Sequence, residues 1–186
     1  MNVFSNLHTG RQSRLLSNQD RVVELLATKG FSAVGLREMA ASLDVTAAAF
    51  YHHFTSKDEY LGFLIESHYS EFLQVISARK RPRLCVRAVI EALIDLQSRR
   101  QWYFKLAARE VHKLGGDCEV ASLRQRINER LLHALPAKAG KAVPETMLLT
   151  LLEHLLVWTC DASMQEADRK RIISRLLLAG ALPAGE

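Results

Sequence analysis

At 186 residues, the chain is long enough for one sizeable core or two small ones. Its 48% apolar and 24% charged residues suit a folded soluble protein, and the scarcity of alternating strand-like runs points to an all-α chain. The net charge of +5 does not by itself mark a nucleic-acid surface, because residues 1–60 hold equal numbers of basic and acidic groups while residues 79–113 carry ten Lys/Arg against three Asp/Glu.

The first dozen residues read as an arm. A first helix is expected from Ser13 or Ser17 to Lys29, with Val22, Val23, Leu26 and Ala27 inward and Gly30 as its stop. The next stretch, LREMAASLDVTAAAFYHHFTSKDEY, is the most informative in the chain. Leu36, Met39, Ala40 and Leu43 recur at i, i+3, i+4, i+7, which places them on one helical face. Asp44 suits a tight turn, since a short polar side chain tolerates left-handed backbone angles. Thr46 is an N-cap for a second short helix, whose inward side takes Val45, Ala49, Phe50 and Phe54 and whose outward side takes Ala47, Ala48, Tyr51 and His52. Ser56-Lys57-Asp58-Glu59 has the S-x-x-E pattern of a capping box and opens a further helix. Helix, short turn and outward-facing second helix together describe a helix-turn-helix.

From Lys57 a long helix carries apolar residues as far as Arg79, and Pro82 marks a boundary because proline cannot continue a helix interior. Further helices are expected over Leu84–Gln97, Trp102–Leu114, from an Asp117 cap to Leu135, over Pro144–Ala162 and over Glu166–Ala179, with a loop from Pro136 to Pro144. The N-terminal MNVFSNLHTGRQSR has no long apolar run, and the apolar stretch Met147–Cys160 is broken by Glu153 and His154. Neither a signal peptide nor a membrane span is expected. Cys85, Cys118 and Cys160 are odd in number and form no C-x-x-C pair, which fits structural thiols in a reduced, cytoplasmic compartment. The histidines show no metal-ligand spacing and no nucleophile motif is present, so neither an enzyme nor a cofactor or metal is expected.

Lys29-Gly30-Phe31, then LREMAASLDV, TAAAFYHHF and TSKDEYL, resembles the DNA-binding half of the tetracycline-repressor (TetR) family, over residues 17–70. The resemblance implies an N-terminal three-helix helix-turn-helix domain (13–60), a connecting helix (61–80) and a C-terminal helical ligand-binding and dimerisation domain (83–186). It also implies a homodimeric, ligand-released repressor that binds a pseudo-palindromic DNA operator. The DNA-facing residues would be Arg37, Thr46, Ala47, Ala48, Tyr51, His52, His53 and Lys57, with Tyr51 and Lys57 as phosphate anchors. Alanines cannot hydrogen-bond bases, so Ala47 and Ala48 are expected to contact thymine methyls or let the helix approach closely. The family's hydroxyl cap before the first helix of the pair is replaced by Ala33-Val34-Gly35.

For the C-terminal half, the aromatic cluster suggests a pocket drawn from Cys85, Trp102, Tyr103 and Leu106, with Arg109, His112 and Trp158. The basic segment suggests an anionic effector received by Arg87, Arg99, Arg100, Lys105 or Arg109, and the aromatic residues suggest an aromatic one. Leu148, Leu152, Leu155, Ile173 and Leu177, on the last two helices, are the expected dimer interface. The alternative is a helical dimeric ligand-binding or interaction protein without DNA binding.

Overall fold

A computed structural model of the protein describes residues 17–77, 86–114, 119–134, 148–161 and 164–179, which form helices and the turns that join them. In chain order the helices are α1 (Gln19–Lys29), α2 (Leu36–Ser42), α3 (Ala47–Tyr51), α4 (Lys57–Ser77), α5 (Val86–Arg99), α6 (Gln101–Glu110), α7 (Glu119–Ala134), α8 (Leu148–Asp161) and α9 (Glu166–Ala179). A short 3-10 turn, Val111–Lys113, follows α6. Among the described residues there is no strand, as the sequence predicts. The N-terminal arm, Pro82, Cys85, the Asp117 cap and the 136–144 loop lie outside the described residues. The chain divides into two compact units between Leu64 and Ile65, within α4.

In the first unit α1 packs on α2 and α2 on α3. Val22, Val23, Leu26, Met39, Ala40 and Leu43 are buried, each adding apolar area to a small core. Ala27 is only half-buried, and Gln19 is buried in its place. Gly30 ends α1 at φ 91°, a left-handed angle, and donates its N–H to the Leu26 carbonyl at 2.9 Å. Asp44 turns the chain between α2 and α3 at φ 58°. The polar Asn18 also serves this turn, donating from Nδ2 to the Leu43 carbonyl at 3.2 Å and so satisfying an acceptor at the end of α2.

The capping box at α4 differs from expectation in one half. Ser56 Oγ accepts the Glu59 N–H at 3.0 Å, as predicted. Glu59 does not return the bond to Ser56; its carboxylate accepts the Thr55 N–H at 2.5 Å and the Thr55 hydroxyl at 2.7 Å. Glu59 thus holds the residue before the cap by both its N–H and its hydroxyl.

In the second unit α6 and α7 both pack on α8, and α5 packs on α9. The core is built from Phe72, Ile90, Leu93, Phe104, Leu123, Ile127, Leu152 and Leu156, with Ile173 from α9. No helix among the described residues is long and apolar enough to cross a membrane.

Candidate nucleic-acid interface

The five-residue α3 is too short to hold its shape by propensity, so its conformation comes from its cap and the core behind it. Thr46 adopts an extended backbone (φ −78°, ψ 157°) and its Oγ1 accepts the Ala49 N–H at 3.1 Å. Beneath the helix lies an aromatic cluster. Phe50 meets Phe54 at 5.5 Å and Tyr60 edge-on at 5.4 Å, and Phe54 meets Tyr60 at 4.7 Å and Phe63 at 5.4 Å. With Phe50 and Phe54 inward, Ala48, Tyr51 and His52 are exposed, while Ala47, Ala49 and His53 are half-buried. The Tyr51 ring rests edge-on against Phe50 at 6.0 Å yet stays 56% exposed, so its apolar root is fixed and its hydroxyl end is free to reach outward. Arg37 is exposed on α2, and Thr46 is exposed at the start of α3.

Lys57 is placed differently from a phosphate anchor. Its Nζ donates to the carbonyls of Phe31 at 2.5 Å and Val34 at 2.7 Å, and lies 4.1 Å from the centre of the Phe31 ring. The half-buried ammonium thus ties the start of α4 to the α1–α2 loop. The signal was in the sequence: Phe31 and Val34 flank a loop with no hydroxyl cap, since α2 begins at Gly35 without a side-chain cap. Carbonyls left without helical partners draw in the nearest cation.

In the second unit, the residues expected to line a pocket divide between core and surface. Tyr103 and Leu106 are buried and Trp102 is half-buried beneath the Lys105 ammonium, 4.8 Å from its ring centre. Arg109, His112 and Trp158 are exposed, because their helical phase turns them away from the α6–α8 packing, and they line no shared interior surface. Cys85 lies outside the described residues. The basic residues are engaged by acids: Arg99 with Asp95 at 3.0 Å, Arg100 with Glu71 at 2.7 Å, and Arg109 and Lys113 both with Glu110. The side chain of Arg87 is outside the described ones.

What sequence reasoning missed is a buried polar cluster joining α4, α7 and α8. Arg124 donates to the Glu153 carboxylate at 2.9 Å, to the Thr150 hydroxyl at 2.9 Å, and to the Tyr69 hydroxyl. Asn128 caps α8 by accepting the Leu149 N–H at 2.9 Å. Glu153 is almost wholly enclosed, and burial pushes its carboxyl up from the ordinary range, against the pull of Arg124 and Tyr69. Desolvation works against the Arg124 charge, but Glu153 and Tyr69 more than offset it and hold the guanidinium protonated. Burial, then the Glu153 charge, likewise keeps the Tyr69 hydroxyl protonated. Beside this cluster His68 is buried against Phe104, with ring centres 4.6 Å apart, and desolvation together with Arg100 and Arg124 lowers its pKa to about 3. Glu153 interrupting an apolar helix was the available signal; an acid on a core-facing position needs a buried partner.

The residues expected at a dimer face divide between core and surface. Leu152 and Ile173 are core residues, at 1% and 0% exposure, because they meet the neighbouring helices of their own unit. Among the described side chains of α8, the large apolar ones left in water are Leu151 and Trp158, at 44% and 54%, with half-buried Leu155 between them at helical spacing. The side chains of Leu148 and Leu177 lie outside the described ones.

The family model for bacterial regulatory proteins of the tetR family matches residues 20–61, the segment that holds α1 to α3 and the capped start of α4. Over that segment the chain is similar to the tetR family. Its fold is shared with solved tetR-family structures. The likeness extends beyond the matched segment. The TetR-family regulator PfmR from Thermus thermophilus superposes with a TM-score of 0.68 at 20% identity, covering 86% of this chain and 96% of that one. A tetR-family regulatory protein from Rhodococcus RHA1 gives 0.71 at 19% identity, covering 93% and 96%. AibR, solved in complex with isovaleryl coenzyme A and operator DNA, gives 0.66 at 16% identity, covering 89% and 97%. No curated protein sequence matches the chain.

Proposed function

We propose that this protein is a tetR-family regulator: a cytoplasmic, homodimeric transcriptional repressor released from a pseudo-palindromic operator by a small molecule bound in its second unit. The observation that carries the DNA half is α3 itself: a capped helix fixed from beneath by four aromatic rings, with Ala48, Tyr51 and His52 outward. Such a helix enters the major groove with its early residues against the base edges. Ala47 and Ala48 provide no hydrogen bonds, so they contact thymine methyls and permit close approach. His52, Arg37 and the half-buried His53 supply polar contacts, and Tyr51 and Thr46 reach phosphate oxygens. Lys57 positions the loop before α2 rather than binding phosphate.

Dimerisation uses the Leu151, Leu155 and Trp158 stripe on α8, which a second copy would cover. The neighbour AibR, held with both an acyl-coenzyme A and its operator, supports the pairing of ligand and DNA within this fold. Release follows if the ligand binds better to the form of the protein that does not fit DNA. Helix α4 carries residues of both units and is the element through which the two sites communicate.

Competition binding at two salt concentrations tests the reading. Each phosphate neutralised adds about 0.9 to the salt slope, so a dimer on its operator gives a steep dependence. A chain that dimerises yet shows no salt-dependent DNA affinity would instead be an interaction or ligand-binding protein.

A further inference from the structure

The described part of the first unit, residues 17–64, carries four Lys/Arg against six Asp/Glu. Arg11 and Arg14, which precede it, bring residues 1–64 only to neutrality. A duplex presents one negative charge per about 1.7 Å of its axis, so a unit that docks on it needs cations. Two of the four are engaged within the protein. Lys29 Nζ lies 2.6 Å from the Glu38 carboxylate, and Lys57 holds the carbonyls of Phe31 and Val34. Arg21 on α1 and Arg37 on α2 are exposed, and α3 itself has neither Lys nor Arg.

The outward face of α3 carries Ala48, Tyr51 and His52, at i, i+3 and i+4. His52 closes the helix as its C-cap, donating its N–H to the Ala48 carbonyl at 3.3 Å, and its side chain is exposed. The charged and titratable groups on the elements about it are Tyr51 and His53, Arg37 and Glu38 on α2, Asp44 in the turn, and Lys57, Asp58 and Glu59 at the start of α4. Glu38 is held by Lys29 and Glu59 by Thr55, while Asp44 and Asp58 are exposed. Among the described residues no hydrogen bond or ion pair engages the His52 ring. The ring is therefore open to whatever α3 meets.

Histidine is the side chain whose charge changes between about pH 5 and 8, and a nearby phosphate favours its charged form. An imidazolium has two N–H donors, enough for a guanine edge and a phosphate oxygen together, where neutral imidazole has one. We propose that His52 binds the duplex in its protonated form, so that each half-site takes up a proton and the protein holds DNA more tightly as the pH falls from about 8 to about 6. The inference rests on the DNA-binding reading above and adds the proton as a regulator of that same site.

The test uses the full chain and a duplex that it enriches from a random pool. Affinity is measured at about pH 8 and about pH 6, each over a range of salt concentrations. The expected result is binding at least about tenfold tighter at the lower pH, with a salt slope steeper by about 1.8, one further phosphate neutralised per half-site. Calorimetry in two buffers of different ionisation enthalpy should show an uptake of up to about one proton per half-site. His52→Gln should abolish both the pH dependence and the added slope. His52→Arg, charged at either pH, should show the steeper slope at both. His68 stays out of this window, since its pKa is about 3. A pH dependence that survives in His52→Gln would assign the proton to another group and overturn the proposal. Salt-dependent binding that is equal at the two pH values would overturn this inference alone. No duplex affinity at either pH would overturn the DNA-binding reading with it. The parent comparison needs no variant, so a misfolded His52→Gln protein would not rescue the proposal.

Discussion

Replacing Lys57 with methionine separates two roles that a lysine at the start of α4 can play. The structure gives its ammonium two carbonyl acceptors, Phe31 at 2.5 Å and Val34 at 2.7 Å, and an aromatic face at 4.1 Å. Hydrogen bonds to a charged group contribute about 1.5–3 kcal/mol each. A cation over a ring adds about 0.5–1 kcal/mol. The side chain is partly exposed, and water can hydrate the carbonyls once the lysine is gone, so these figures must be discounted. The net loss expected for Lys57→Met is about 2 kcal/mol, concentrated in the α1–α2 loop. Hydrogen exchange should report it as faster amide exchange around Phe31–Gly35, and urea unfolding as a lower midpoint. The DNA assay gives the complementary reading. A phosphate-binding lysine, present twice in a dimer, would reduce the salt slope by about 1.8 when removed. The staple role predicts weaker binding with the slope unchanged. A slope lowered by that amount, in a variant as stable as the parent, would refute the reasoning and restore Lys57 to the phosphate contacts.

Arg124→Met leaves Glu153 enclosed without its partner and should cost about 3–5 kcal/mol in urea unfolding, most of it recovered in the double variant Arg124→Met/Glu153→Leu; equal costs for the single and the double would contradict the pairing. His68 has a folded pKa of about 3 against an ordinary 6.5, so the unfolded chain binds a proton that the folded one refuses. Its contribution to stability is therefore complete above pH 6.5 and falls as the pH drops towards 3, by at most about 1.4 kcal/mol per unit. His68→Phe should flatten the stability profile between about pH 6.5 and 4.5, and a variant with the parent's slope would show that other groups carry it. Leu151→Lys/Trp158→Lys should turn the proposed dimer into a monomer in sedimentation equilibrium without unfolding it, since both residues are exposed on α8; a persistent dimer would place the interface elsewhere.

The first unit was legible because its signals are local. A left-handed residue at Asp44, a hydroxyl cap at Thr46 and an aromatic pair four residues apart at Phe50 and Phe54 each act within one helical turn, and the structure places all of them as the spacing predicts. The partners of Lys57 lie 23 and 26 residues away, so the uncapped start of α2 signals carbonyls in need of a donor but not which cation supplies it. The second unit was legible as helices but not as a site. Leu152 and Leu151 are adjacent in the sequence, yet one is core and the other is in water, and only the positions of α6 and α7 against α8 decide which. The same holds for Arg124, whose acceptors come from α4 and α8.

The central claim is that α3 reads duplex DNA as one half of a twofold pair. Selection of binding sites from a random duplex pool tests it most directly, with each enriched site then measured as thymine and as deoxyuracil at its inner positions. The account predicts two inverted half-sites about 10–10.5 base pairs apart. It further predicts affinity that falls steeply with salt and weakens where thymine methyls opposite Ala47 and Ala48 are removed. A pool that shows no enrichment, or binding indifferent to salt, would contradict it.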